Sequence, residues 1–165
     1  MTLIVSDNSP LNLLIRLGLA EILPKMYSKV LIPTEVAREM RDTMAPQQVR
    51  DFIAMPPPWL ETRTPKVVLS FPNLDPGETA AISLAIELHA TLMIDELDGR
   101  TQATASGLKV IGVVGILETA ANTGIVPELA VVHSKIKLMN FYVSHSILNQ
   151  SLARHLAFKK AQSSP

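Results

Sequence analysis

The sequence predicts an α/β protein, a three-layer α/β/α sandwich with a mostly parallel central sheet. Short apolar or β-branched runs alternate along the chain with stretches of helical periodicity, and the runs end in acids, glycines or turns. No repeat, low-complexity segment or linker interrupts this alternation. Strands that alternate with helices favour an open parallel sheet covered by helices on both faces.

The strands are predicted from short runs that are rich in Val, Ile and Leu. Residues 64–69 lie in a looser part of the chain and are predicted as an edge strand. The other runs are apolar enough to form buried strands of a parallel sheet. These four predicted strands are residues 2–6, 29–32, 91–94 and 108–111.

The helices are predicted from apolar periodicity and from capping residues. Ser9 followed by Pro10 is typical of an N-cap with proline in the first turn, and Gly18 is typical of a helix end. Ser144 or Ser146 is expected to cap the last, amphipathic helix. The predicted helices are residues 10–17, 20–27, 34–42, 46–55, 78–90, 99–106, 112–122, 127–139 and a last segment that ends at residue 159.

Composition indicates one domain, residues 1–165, that folds without disulfides or zinc–thiolate sites. The chain of 165 residues is long enough to bury a core, and it contains no cysteine. Its first residues, MTLIVSDNSP, carry no basic leader, and no apolar run approaches the roughly 18 residues that span a bilayer. We therefore expect a soluble, cytoplasmic protein without a membrane partner.

The charges are unevenly distributed along the chain. Residues 1–128 hold all 15 acids and 10 lysines or arginines, whereas residues 129–165 hold five lysines or arginines and no acid. A solvated C-terminal helix explains this distribution. The alternative explanation is a basic helical segment from about residue 129 that helps to hold a polyanion.

Residues 74–100 contain carboxylates at the ends of elements that are otherwise apolar. Glu78 lies in the first turn of an Ala/Leu/Ile-rich helix, and Asp95 ends the strand that follows. Asp7 ends the first predicted strand, and Glu39 lies on the helix after the second. Because sites in parallel sheets lie beyond the carboxyl ends of the strands, we expect these four side chains to converge.

Each acid taken alone also has a structural explanation. Asp7 or Asp95 could cap a helix, Glu78 could complement a helix dipole, and Glu35 rather than Glu39 could be the residue that matters. Together, however, three or four neighbouring carboxylates repel one another unless a cation lies among them. Oxygen ligands favour Mg²⁺ or Mn²⁺, so the pattern predicts metal-assisted hydrolysis of a phosphodiester bond.

Four segments resemble the PIN domain family. They are SDNSPL with Asp7, IPTEVAREM with Glu39, PGETAAISLA with Glu78 and LMIDELDGR with Asp95, followed by VIGVVGIL. The resemblance covers nearly the whole chain and is greatest to stand-alone prokaryotic PIN proteins related to VapC-type toxins.

This resemblance implies a ribonuclease that uses Mg²⁺ or Mn²⁺ and forms a homodimer. In toxin–antitoxin systems such a protein is held inactive by a small antitoxin. The resemblance makes Asp7, Glu39, Glu78 and Asp95 the catalytic and metal-binding residues. The residues expected to support these acids or to contact the RNA are Ser9, Glu96 and Arg100.

Two positions depart from the pattern of the resembled family. Glu96 stands where many members have a second aspartate, and Val113 stands where relatives often have Thr or Ser. Weak activity would be consistent with the loss of that polar contact. A PIN-like module that binds RNA or a protein without cleavage is the alternative. Phosphoaspartyl folds are disfavoured because Ser9 and Asn8 stand where they need acids.

Overall fold

The structure, a computed structural model, describes residues 2–139, 141 and 143–164. Within these residues the chain forms five strands. They are β1 Leu3–Ser6, β2 Lys29–Pro33, β3 Leu60–Arg63, β4 Thr91–Met93 and β5 Val110–Ile111.

Nine helices lie within the same residues. They are α1 Asn8–Arg16, α2 Ile22–Met26, α3 Thr34–Arg41, α4 Gln47–Ala54, α5 Pro76–Leu88, α6 Leu97–Ala105, α7 Val113–Asn122, α8 Leu129–Leu138 and α9 His145–Ser163.

The five strands form one parallel sheet in the order β3-β2-β1-β4-β5. The chain leaves β1 toward β2 and β3, and α5 then carries it back to the other side of β1. The strand order therefore reverses between β1 and β4, which pair with Ser6 opposite Met93. The predicted α/β fold with a parallel central sheet is confirmed.

Helix α5 is buried because it is apolar around most of its circumference. Ala81, Ile82, Leu84 and Ala85 are fully buried and form one core cluster with residues of β1, β2 and β4. The helix ends at Leu88, two residues before the predicted boundary, because His89 adopts a left-handed φ of 50°.

Two local predictions were wrong. Ser9 is not an N-cap, because α1 begins directly after β1 and the cap position is taken by Asp7, whose side chain makes no capping hydrogen bond. The edge strand is Leu60–Arg63 rather than residues 64–69, and it pairs with β2 from Val30 to Pro33. The proline at 65 lacks the N–H that would continue this ladder.

By its internal contacts the chain divides into two compact units, Met1–Val113 and Val114–Pro165. The first unit contains the sheet and all the candidate acids. In the second, Arg154 pairs with Glu118 at 2.8 Å and His155 bonds Asn122 at 2.7 Å. The prediction of one domain stays a prediction. In the part of the chain that the structure describes, no helix combines the length and the apolarity needed to cross a membrane.

Ser144 rather than Ser146 caps α9, since the Ser144 hydroxyl accepts the N–H of Ile147 at 3.1 Å. We expect Ser144→Ala to lower the free energy of unfolding by about 1 kcal/mol, as loss of an N-cap usually does. Urea titration followed by circular dichroism measures the change. Ser146→Ala is the matched control and should cost less; an equal or larger cost for Ser146→Ala would contradict the assignment of the cap.

Candidate active site

Two of the predicted acids lie at the point where the strand order reverses. Asp7 follows the last residue of β1, and its N–H donates to the carbonyl of Met93 at 2.9 Å. Asp95 follows β4 by two residues. Because β1 and β4 are neighbouring parallel strands, both acids lie at the same edge of the sheet, as the sequence predicted.

Asp7 is the most deeply buried of these carboxyl groups, with 4% of its surface exposed. Burial raises its pKa from 3.8 to about 8, although the backbone N–H of Asn8 lowers it. The negative charges of Asp75, Glu78 and Glu39 raise it further. Asp7 therefore lies near three other carboxylates, and its surroundings favour the protonated, neutral form of its carboxyl group.

Glu39, near the end of α3, reaches the beginning of α5. Burial has the largest effect and raises the pKa of Glu39, and the charges of Asp75 and Glu35 raise it as well. Hydrogen bonds from the side chain of Asn8 and the backbone of Gly77 lower it. These contacts place the Glu39 carboxyl group beside the acids near the end of β1, as the sequence predicted for Glu39.

The first turn of α5 supplies two acids. Asp75 is the N-cap, and its carboxylate accepts the N–H of Glu78 at 2.7 Å. Glu78 is 9% exposed, and burial raises its pKa, followed by the charges of Asp75, Glu96 and Glu39. The same cap that starts the helix thus adds a carboxylate to the cluster.

Asp95 has different neighbours. Its Oδ1 accepts the N–H of Val113 at 3.0 Å, while its Oδ2 is buried without a hydrogen-bond partner among the described residues. Burial raises its pKa, the Val113 N–H and the charge of Arg100 lower it, and Glu96 raises it. Asp95 is therefore bonded to a backbone amide and lies near an arginine.

The three residues predicted to support the acids lie in different surroundings. Glu96 lies close enough to Glu78 and Asp95 to raise the pKa of both. Arg100 donates from Nη1 to the carbonyl of Ile94 at 2.9 Å, which fixes its charge near Asp95. Ser9 is a half-buried residue in the first turn of α1.

The donor set has the chemistry that a hard divalent cation requires. All its charged members are carboxylates, and the side-chain oxygen of Asn8 is buried beside them without a partner among the described residues. Among the residues that the structure describes, the ion pairs are Arg63–Glu61 and Arg154–Glu118, and neither involves the site acids. No three described acids or histidines are close enough to hold one ion as they stand.

Sequence reasoning missed three contributors to this cluster: Asn8, Asp75 and Gly77. Asp75 could have been found, because Asp-Pro-Gly followed by an apolar helix is a recognisable N-cap with proline at N1. No pattern in the sequence could have indicated that Asn8 and Gly77 contact Glu39, because that contact joins α1, α3 and α5.

The raised pKa of Asp7 predicts a pH-dependent stability. Below about pH 4 both the folded and the unfolded states keep the Asp7 proton; between about 4 and 8 only the unfolded state releases it, so stability falls as pH rises. Asp7→Asn removes this loss. Without divalent metal we expect the variant to gain roughly 1–3 kcal/mol over wild type at pH 8 and much less at pH 4.

Urea unfolding at several pH values in EDTA measures this difference. Asp98→Asn is the matched control, because Asp98 is exposed on the surface of α6, and its effect should be small at every pH. A variant that becomes less stable than wild type as pH rises would show that the ionised Asp7 carboxylate supports the fold. A difference that does not change between pH 4 and pH 8 would show that folding does not raise the pKa of Asp7.

The comparisons with known proteins agree with this fold. The family model that matches is DUF3368, described as a PIN domain, and it matches residues 3–156. A solved PilT N-terminus domain protein from the hyperthermophilic archaeon Sulfolobus solfataricus P2 is similar, with a TM-score of 0.55 and 21% identity. That similarity covers 72% of this chain and 92% of the archaeal one, and at this identity it shows the fold alone. No curated protein matches the chain.

PIN domains are generally nucleases that use divalent metals. The family match extends over nearly the whole length of the chain, and the parallel sheet agrees with it. The chain belongs to the PIN domain family.

Proposed function

We propose that this protein is an endoribonuclease that hydrolyses RNA phosphodiester bonds with Mg²⁺ or Mn²⁺. The observation that carries the proposal is the group of Asp7, Glu39 and Glu78 around the end of β1, where burial and repulsion by neighbouring carboxylates raise the pKa of each. A site that disfavours its own negative charges is suited to a divalent cation. Membership of a family of nucleases supports the same conclusion.

In this proposal Asp7, Glu39, Glu78 and Asp95 hold the metal. A bound Mg²⁺ or Mn²⁺ supplies a Lewis acid that promotes attack by water on the phosphodiester. Asp7 fixes the position of the ion, because it is anchored at the end of a buried central strand. Glu39 and Glu78 belong to two different helices, α3 and α5.

Asp95 contributes through its second oxygen. Oδ1 is engaged by the Val113 N–H, whereas the buried Oδ2 has no partner among the described residues and is free to accept a metal or a water. Arg100 lowers the pKa of Asp95, and Glu96 raises it. Ser9, in the first turn of the helix that follows Asp7, is a substrate or water contact in this proposal.

We further propose that the protein acts in the cytoplasm as a homodimer, and as the toxin of a toxin–antitoxin pair whose small antitoxin blocks the acids. The support is the family resemblance together with the charge distribution. The C-terminal segment from about residue 129 carries five lysines or arginines and no acid, which suits contact with an RNA backbone.

A binding module without cleavage activity is the second candidate. The observation that favours it is that no three described acids are in position to share an ion. Asp95, in addition, already accepts the N–H of Val113 and lies near the charge of Arg100. In such a module the acids would shape the site without taking part in a reaction.

A cleavage assay distinguishes the two functions. We expect wild-type protein to cleave single-stranded RNA when Mn²⁺ is added and to stop in EDTA. Asp7→Asn and Glu78→Gln should each lower the rate by roughly two orders of magnitude, since each removes one metal ligand. Asp98→Asn is the control and should cleave at the wild-type rate. RNA that is bound but never cleaved, with Asp7→Asn binding at least as well as wild type, would instead establish the binding module.

Metal binding is testable without an RNA substrate. Because an ion that binds only the folded state stabilises it, we expect saturating Mn²⁺ to raise the Tm of wild type by several degrees at neutral pH. Glu78→Gln should lose most of this increase, whereas Asp98→Asn should keep it. A Tm increase of equal size in all three proteins would mean that Mn²⁺ binds elsewhere.

A further inference from the structure

Gly77, a buried residue in the first turn of α5, lies directly against the carboxyl group of Glu39. A Cβ atom at this position would have Oε1, Cδ and Oε2 of Glu39 as its three nearest atoms, with Cδ at 2.9 Å. Cβ atoms do not tolerate such separations. Because a carboxyl group is the free end of a flexible side chain, the Glu39 carboxyl group and not the backbone would have to move.

The backbone of Gly77 also holds the Glu39 carboxyl group in place. Its N–H lies close enough to this carboxyl group to lower the pKa of Glu39, and so it favours the charged form. Gly77 does not need glycine for its own conformation: the glycines with left-handed φ among the described residues are Gly18, Gly107 and Gly124. Glycine also costs conformational entropy in a helix, so what it provides at position 77 is space.

We propose that Gly77 is a positioning residue for Glu39: the missing side chain and the backbone N–H together direct this carboxylate toward Asp7. The inference rests on the proposed function, in which Glu39 is a metal ligand. It goes beyond that function because it explains the orientation of the Glu39 carboxyl group, on α3, by the absence of a Cβ atom at Gly77, on α5.

The test is a double-mutant cycle on the full-length protein with Mn²⁺ as the probe. The variants are Gly77→Ala, Glu39→Ala and Glu35→Ala, with the two double variants that combine Gly77→Ala with each glutamate change. Isothermal titration calorimetry gives Mn²⁺ affinity, and circular dichroism in EDTA gives the Tm. Glu35 is the matched control because it lies one turn before Glu39 on α3.

We expect Gly77→Ala to fold and to weaken Mn²⁺ binding roughly tenfold, as loss of a contact that orients a ligand usually does. In the Glu39→Ala background the same change should alter affinity less than about twofold, because there is no carboxylate left to displace. In the Glu35→Ala background the roughly tenfold loss should persist. A loss of equal size with and without the Glu39 carboxylate would overturn the inference.

The metal-free measurements decide the inference even if wild type binds no Mn²⁺, a result that would refute the proposed metal site. In EDTA, Gly77→Ala should lower the Tm while Glu39 is present. In the Glu39→Ala background it should raise the Tm by roughly 2 °C, the gain expected when alanine replaces glycine in a helix. The same Tm change in both backgrounds would show that Glu39 is not positioned by Gly77.

Discussion

The main constraint on this structure is electrostatic: several carboxylates lie close together in a partly buried site, which raises the free energy of the folded state. Asp7 is nearly inaccessible at the end of the central strand, and it faces the negative charges of Asp75, Glu78 and Glu39. Burial and repulsion by neighbouring carboxylates both raise the pKa of Asp7, Glu39 and Glu78. Such an arrangement opposes folding without a counter-charge, and carboxyl groups with pKa values perturbed in this way cluster at functional sites in proteins.

Common elements of local structure bring these acids together. Asp7 sits where a buried strand ends, and Asp75 caps α5 by accepting the N–H of Glu78. Parallel pairing of β1 with β4 brings the strand ends to one edge of the sheet. Helix α3 then delivers Glu39 to the first turn of α5, where the absence of a side chain at Gly77 leaves space for it.

Asp95 shows how one position in this arrangement can serve both structure and function. Its Oδ1 accepts the N–H of Val113, the position where relatives often carry a hydroxyl, and its charge is partly balanced by Arg100. The buried Oδ2 is left without a partner among the described residues. One oxygen of Asp95 is thus bonded within the fold, while the other remains available to a further ligand.

The sequence by itself determined the α/β class and the elements that carry the four acids, because apolar periodicity, capping residues and glycine stops are local signals. It misplaced the edge strand and the cap of α1, where competing local signals lay only a few residues apart. Only the tertiary structure decided that Glu39 lies against Gly77, that Asp75 joins the acids and that Asp95 turns to Val113 and Arg100. These contacts join segments that are far apart in the chain. They depend on how the helices and strands pack, and local sequence patterns carry no information about that packing.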